Sequence, residues 1–90
     1  MLQQIFTAKA SNGQSSTVEH SGGSVEVIVA GTFGGGTATL QARYADTATW
    51  VPVAGGAWTT PEVRVLQTVR KCELRLDLTG ATAPSLNAWI

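Results

Sequence analysis

Apolar and polar residues alternate one by one along much of the chain. The clearest case is Thr37–Tyr44, whose apolar face consists of Ala38, Leu40, Ala42 and Tyr44. Cys72–Thr79 repeats the pattern, with one cysteine and three leucines on its apolar face. A period of two is typical of a β-strand that has one buried and one solvated face. Both segments are therefore predicted to be strands that line a hydrophobic core.

Further segments are predicted to be extended because each carries apolar or β-branched residues between turn signals. They are residues 2–10, 15–20, 24–30, 49–53, 63–69 and 85–90. Turns are predicted at residues 11–13, 21–24, 45–48, 55–56 and 79–84. The N-terminal segment is either a short edge strand or a flexible arm. Pro52 cannot donate a ladder hydrogen bond, which places its strand at a sheet edge or a bulge.

Residues 31–36, GTFGGG, cannot continue a regular strand. Glycine is favoured where φ is positive or where two backbones approach closely. Phe33 lies in the middle of the run and is predicted to anchor it to the core. A phosphate-binding loop is not predicted, because a strand follows where that mechanism needs a helix N-terminus. The run therefore indicates a corner between strands.

The predicted elements fix a fold class. Seven to nine short strands separated by Gly and Pro, with no segment of helical period, are typical of an antiparallel β-sandwich. The prediction is an all-β, jelly-roll-like sandwich. Its 90 residues form one domain, residues 1–90, with residues 1–10 as the edge strand or arm.

The low content of charged residues bears on what covers the surface of the predicted domain. Charged residues make up 13% of the chain, about half the usual fraction, and the formal net charge is zero. Interface cores are depleted in charge, so this composition favours a surface that is covered by other protein. Neutrality argues against attraction to nucleic acid or to an anionic membrane. The basic residues Arg64, Arg70, Lys71 and Arg75 are interpreted as a solvated strand face or as salt-bridge donors to a partner, because no aromatic residue lies between them.

The sequence predicts no disulfide, zinc site, signal peptide or transmembrane span. Cys72 is the single cysteine, so neither an internal disulfide nor a Cys/His zinc site is expected. No apolar stretch has the length of a signal peptide or a transmembrane span. The chain is expected to stay in the cytoplasm in which it is made unless it leaves within an assembly.

Catalytic arrangements are hard to build from these residues. His20 is the single histidine, and the adjacent Glu19 faces the other side of a strand and cannot orient it. Glu73 and Asp77 share a strand face about 13 Å apart, too far for a glycosidase pair, and Arg75 lies between them. An ion-paired solvated face is the simpler interpretation. No catalytic residue, cofactor or metal site is predicted.

The three tryptophans have two possible roles. Trp50 is predicted to lie in the core. Trp58 and Trp89 would then be exposed, either stacking on sugar rings or anchoring a protein interface. Trp89 alternates with Leu86, Ala88 and Ile90, which predicts that it faces outward on the last strand. Cover by another chain and simple exposure both remain open for it.

Residues 27–56, VIVAGTFGGGTATLQARYADTATWVPVAGG, resemble the small β-sandwich virion proteins of tailed bacteriophages. Those proteins carry a corner of the type v-x-G-T-F-G-G-a-t-v-t-L-q, then a D-x-t-W-v-p-V strand and a closing segment of the v-R-a-x-v-t-G-g-t kind. The matching positions here are Gly31, Thr32, Phe33, Gly34, Gly35, Leu40, Gln41, Asp46, Thr49, Trp50, Val51 and Val53. Residues 78–82 and 86–90 stand in for the closing segment. Residues 69–73 depart from it by being more charged.

The resemblance implies a non-enzymatic virion component, most simply a capsid decoration (cement) protein that stabilises the head lattice. A tail, neck or fibre-associated component is the alternative within the same family. Two alternatives outside it are a carbohydrate-binding module and a small hydrolase. The implied partners are the major capsid protein or other virion proteins, and other copies of the chain, as a homotrimer. Neither nucleic acid nor a membrane is expected to bind.

Apolar residues near the chain termini and in turns are the candidates for contacts between subunits. They are Leu2, Ile5, Phe6, Trp58, Leu86, Trp89 and Ile90. Either terminal segment could add a strand to a neighbouring sheet and so cover an exposed edge.

Overall fold

The computed structural model describes residues 3–45, 49–68 and 70–90. Within these ranges the chain forms strands and no helix. In chain order the strands are β1 (Gln4–Lys9), β2 (Gly13–Gln14), β3 (Val18–His20), β4 (Gly23–Thr32), β5 (Thr37–Tyr44), β6 (Val51–Trp58), β7 (Glu62–Thr68), β8 (Cys72–Thr79) and β9 (Ser85–Trp89).

The strands form two antiparallel sheets that pack face to face. The four-stranded sheet has the order β1-β9-β4-β7. The five-stranded sheet has the order β2-β8-β5-β6, and β3 pairs with the same strand, β8, as β2 does. The predicted all-β sandwich is thereby confirmed. A jelly-roll-like course of the chain stays a prediction.

The core between the sheets follows the alternation in the sequence. In β5 and β8 every second residue is buried, as predicted, except Tyr44, which is partly buried against the core. Cys72 lies among the leucines. The largest fully buried side chains are Trp58, Leu40, Leu74, Leu76, Leu78, Leu86, Val27 and Val29. Burial of a leucine or valine contributes about 1.5–3 kcal/mol, which makes this layer the main source of stability.

The glycine run carries the chain from one sheet to the other. Phe33 O accepts a hydrogen bond from Gly36 N at 3.0 Å, which closes a four-residue turn between β4 and β5. The two central residues, Gly34 and Gly35, have φ of 61° and 77°, as a type I′ turn requires. Phe33 is buried and holds the turn against the core, so the predicted corner and its anchor are confirmed.

Strand β6 differs from its prediction. Residues 55–56 were expected to form a turn, but β6 continues through them to Trp58. The pairs Thr39↔Ala57 and Gln41↔Pro52 leave extra residues on β6, which is a bulge, and Gly55 adopts φ of 76° within it. β6 lies at the edge of its sheet, as Pro52 indicated.

The two terminal segments take different positions in the four-stranded sheet. β1 is an edge strand, which confirms that alternative for the N-terminal segment. β9 lies between β1 and β4 and pairs with both. The expectation that the last strand adds to a neighbouring sheet is therefore wrong, because both of its edges are occupied. Leu2, residues 46–48 of the predicted turn, and Val69 lie outside the described residues.

Candidate interaction surfaces

Five of the seven predicted contact residues are buried within the chain itself. They are Ile5, Phe6, Trp58, Leu86 and Ile90, none more than 9% exposed. In β1 the pairs Gln4↔Trp89 and Phe6↔Ala88 enclose a bulge, and both residues after Gln4 are buried. The expectation that these five side chains are available to a partner is wrong. Leu2 lies outside the described residues, and Trp89 alone of the set is partly exposed in the structure.

Trp58 is part of the core and also joins the two sheets. Its Nε1 donates to Glu62 O at 3.0 Å, across the β6–β7 connection. The Arg64 guanidinium lies 5.0 Å from the centre of the indole ring. Arg64 Nη1 also donates to Gly55 O and Ala57 O, both at 2.6 Å. Trp58 and Arg64 therefore connect the edge strands β6 and β7, and a glycan-stacking role for Trp58 is excluded by its burial.

Trp50 lies at the surface, where Trp58 was predicted to lie. It is half-buried rather than a core residue, and the guanidinium groups of Arg75 and Arg43 lie 4.2 and 4.9 Å from its ring centre. Both arginines alternate with buried residues, which places them on the outer face of the five-stranded sheet. Trp50 is thus an aromatic residue of that outer face.

The remaining polar side chains on this face pair across strands. Arg43 forms a salt bridge with Glu73 at 2.6 Å. Arg75 Nε donates to Gln41 Oε1 at 2.8 Å, and Gln14 Nε2 donates to Asp77 Oδ1 at 3.0 Å. Ion pairing on this face therefore runs across strands: Glu73 pairs with Arg43 of β5, whereas Arg75 and Asp77 bond to glutamine side chains. We call this set, with Trp50, the charged face; its residues are Gln14, Gln41, Arg43, Trp50, Glu73, Arg75 and Asp77.

The outer face of the four-stranded sheet has the opposite character. Trp89 pairs with Ile28, and Ile28 pairs with Val63, so the three side chains form a row across β9, β4 and β7. Val65 follows on the same face of β7. Val63 and Val65 are 55% and 64% exposed. We call these four residues the apolar patch.

Two open clefts lie beside the sheets. The larger, of about 490 Å³, is lined by His20, Glu19 and Glu26 above an apolar floor that includes Leu74. His20 Nε2 lies 3.5 Å from Gly23 O, and no carboxylate is hydrogen-bonded to the ring in the part of the chain that the structure describes. The smaller, of about 290 Å³, lies above Cys72. Glu19, Lys71 and Glu73 also line the smaller cleft, but the Cys72 side chain is buried beneath them.

The Cys72 thiol is held in its neutral form. Burial raises the pKa of Cys72, and a hydrogen bond with the Thr68 side chain opposes that change in part. A reactive cysteine needs a lowered pKa and access to solvent, and Cys72 has neither. Among residues 3–45, 49–68 and 70–90, no group of three His, Cys, Asp or Glu side chains could hold a metal ion.

Comparison of the chain with protein-family models, with curated proteins and with solved structures found no match. None of the described residues belongs to a helix long and apolar enough to cross a membrane.

Proposed function

We propose that this chain is a non-enzymatic structural protein of a bacteriophage virion, most specifically a decoration protein of the capsid. The apolar patch carries the proposal. Exposed Val63 is in register with half-buried Ile28 and Trp89, and exposed Val65 lies two residues further along β7. Together they form a surface that gains free energy when another protein covers it. The resemblance of residues 27–56 to small virion proteins supplies the phage context.

The proposed mechanism is the addition of contact area between capsid subunits. A stack of two sheets joined by Trp58 and Arg64 is a rigid unit, so little conformational entropy is lost when it docks. Decoration proteins act in many copies, and a small gain at each site adds up over a shell. The partners are the major capsid protein or other virion proteins, together with copies of the chain itself as a homotrimer.

Purified particles test the proposal. Quantitative mass spectrometry should find the chain in hundreds of copies per particle, and particles that lack it should lose their DNA at a lower temperature. A few to a few dozen copies would favour a tail, neck or fibre-associated component. Absence of the chain from particles would refute the virion role.

Carbohydrate binding is a second candidate, supported by Trp50. Its ring is partly exposed on the charged face, with the polar guanidinium groups of Arg75 and Arg43 at 4.2 and 4.9 Å from the ring centre. An aromatic ring with polar neighbours is the usual platform for a sugar. This candidate predicts that Trp50→Ala abolishes binding on a glycan array while the circular dichroism spectrum is kept. Loss of binding in Trp89→Ala alone would place a glycan site on the other sheet.

A further inference from the structure

The apolar patch is continuous across three strands. Ile28 is directly opposite Trp89 on one side and Val63 on the other. Directly opposed residues of neighbouring antiparallel strands have Cβ atoms about 4.5–5.5 Å apart. Val65 follows Val63 by two residues and so lies about 7 Å further along the same face. The four side chains therefore form one surface rather than scattered exposed residues.

Covering the patch costs little side-chain entropy. Val63, Val65 and Ile28 are β-branched and have restricted rotation about χ1, so burial costs them little side-chain entropy. They stand on strands that are paired in register without a shift between β4 and β7. A partner would therefore meet a preformed surface.

The charge around the patch indicates what kind of partner fits. The outward-facing residues of β4, β7 and β9 include a single charged side chain, Glu26, opposite Val65. The charged face of the other sheet carries two arginines and two carboxylates. A strongly charged partner could pair only with Glu26 on this face, and its other charges would lose hydration without gaining a partner. The complementary surface is therefore itself uncharged and apolar.

The chain's own patch is such a surface. The net charge is zero, so two copies do not repel each other at long range. Two copies packed patch to patch would each remove Val63 and Val65, which are 55% and 64% exposed, from water. We infer that the apolar patch is a self-association surface on which a second copy of this chain packs. The inference assigns a surface to the proposed homo-oligomer and rests on that part of the proposed function.

Sedimentation equilibrium of the purified chain tests the inference. At concentrations up to about 1 mM, the wild-type protein should have two or three times the 9.4 kDa mass of one chain, as a dimer or a trimer. Val63→Lys and Val65→Lys should each weaken association by about tenfold or more, because each places a charge in an apolar contact. Val65→Thr, which keeps the branched shape, should have a smaller effect.

Val51→Lys is the matched control. Val51 is 45% exposed but lies on β6 of the other sheet. This variant should associate as the wild type does, and circular dichroism should show that all variants are folded. A 9.4 kDa monomer at about millimolar concentration would overturn the inference, and so would equal weakening by Val51→Lys and Val65→Lys. A monomer in solution that is nevertheless present in particles would overturn the self-association and leave the virion role in place.

Discussion

At the scale of single residues, backbone conformation and the space around the Cβ position are two separate reasons for glycine in the corner. Gly34 and Gly35 both have positive φ, in which a side chain is unfavourable. They differ in their surroundings. A Cβ on Gly34 would lie 2.2 Å from Thr82 O, whereas a Cβ on Gly35 would meet nothing within 4 Å. The first glycine is thus required by both conformation and contact, and the second by conformation alone.

Alanine substitutions in this turn should separate the two effects. We expect Gly35→Ala to lower the free energy of unfolding by about 1–2 kcal/mol, and Gly34→Ala to lower it by at least about 2 kcal/mol more. The additional loss arises because the Cβ must displace a backbone carbonyl. Urea denaturation of both variants measures the difference. Equal losses would show that the Thr82 segment moves away at little cost.

Cys72 gives a second prediction at this scale, on pH. Since its pKa is raised in the folded protein, the folded state keeps the thiol proton to higher pH than the unfolded state does. The stabilising contribution is complete below the unfolded pKa, about 8.5, and is lost as pH rises through the folded pKa. The free energy of unfolding should therefore fall more steeply above about pH 8.5 in the wild type than in Cys72→Ala. Iodoacetamide should label Cys72 only when urea is present.

At the scale of elements, the edges of the two sheets are held together by side chains where strand pairing stops. β6 and β7 belong to different sheets. Arg64 spans the gap by donating to two carbonyls of the β6 bulge, and Trp58 donates to the β7 backbone. By contrast, Arg43 makes a salt bridge on an outer face, where both partners are more than a third exposed.

These two arginines should therefore differ in their effect on stability. We expect Arg64→Leu to lower the free energy of unfolding by about 1–3 kcal/mol, because two backbone carbonyls lose a charged donor. Arg43→Leu should cost less than about 1 kcal/mol, as is usual for an exposed ion pair. Thermal denaturation compares them. If Arg43→Leu proved the more destabilising, the contact with Trp50 would contribute more than the connection between the sheets.

At the scale of the whole molecule, the two outer faces differ in kind. The charged face satisfies its polar groups by pairing across strands, whereas the apolar patch leaves two valines more than half exposed. A domain of this size buries only about 60–65% of the surface of its unfolded chain, so its stability is limited. Covering the patch with a second chain would increase the stability of the folded state.

Association through the patch should make stability depend on concentration. We expect the melting temperature of the wild type to rise as protein concentration is increased, because only the folded chain binds its copy. The melting temperature of the Val65→Lys variant should rise less over the same range of concentration. Differential scanning fluorimetry over about a hundredfold range of protein concentration measures both. A wild-type melting temperature that stays constant would contradict self-association.

The sequence alone determined which residues of the regular strands face inward. The alternation in β5 and β8, the three valines of β4 and the outward position of Trp89 all follow from a period of two, which is a property of the extended backbone. The anchoring of the corner by Phe33 was also predictable, since one apolar residue stood in a run of small ones. The antiparallel sandwich followed from these elements together.

Only the tertiary structure decided the places where that period is broken and where strands meet. The bulge in β6 cannot be read from the local sequence, and it buries Trp58 while Trp50 stays on the surface. The position of β9 between β1 and β4, and the row formed by Trp89, Ile28 and Val63, depend on register between segments far apart in the chain. Local alternation specifies a face of one strand, but neighbours across a sheet are chosen by the packing of the whole core.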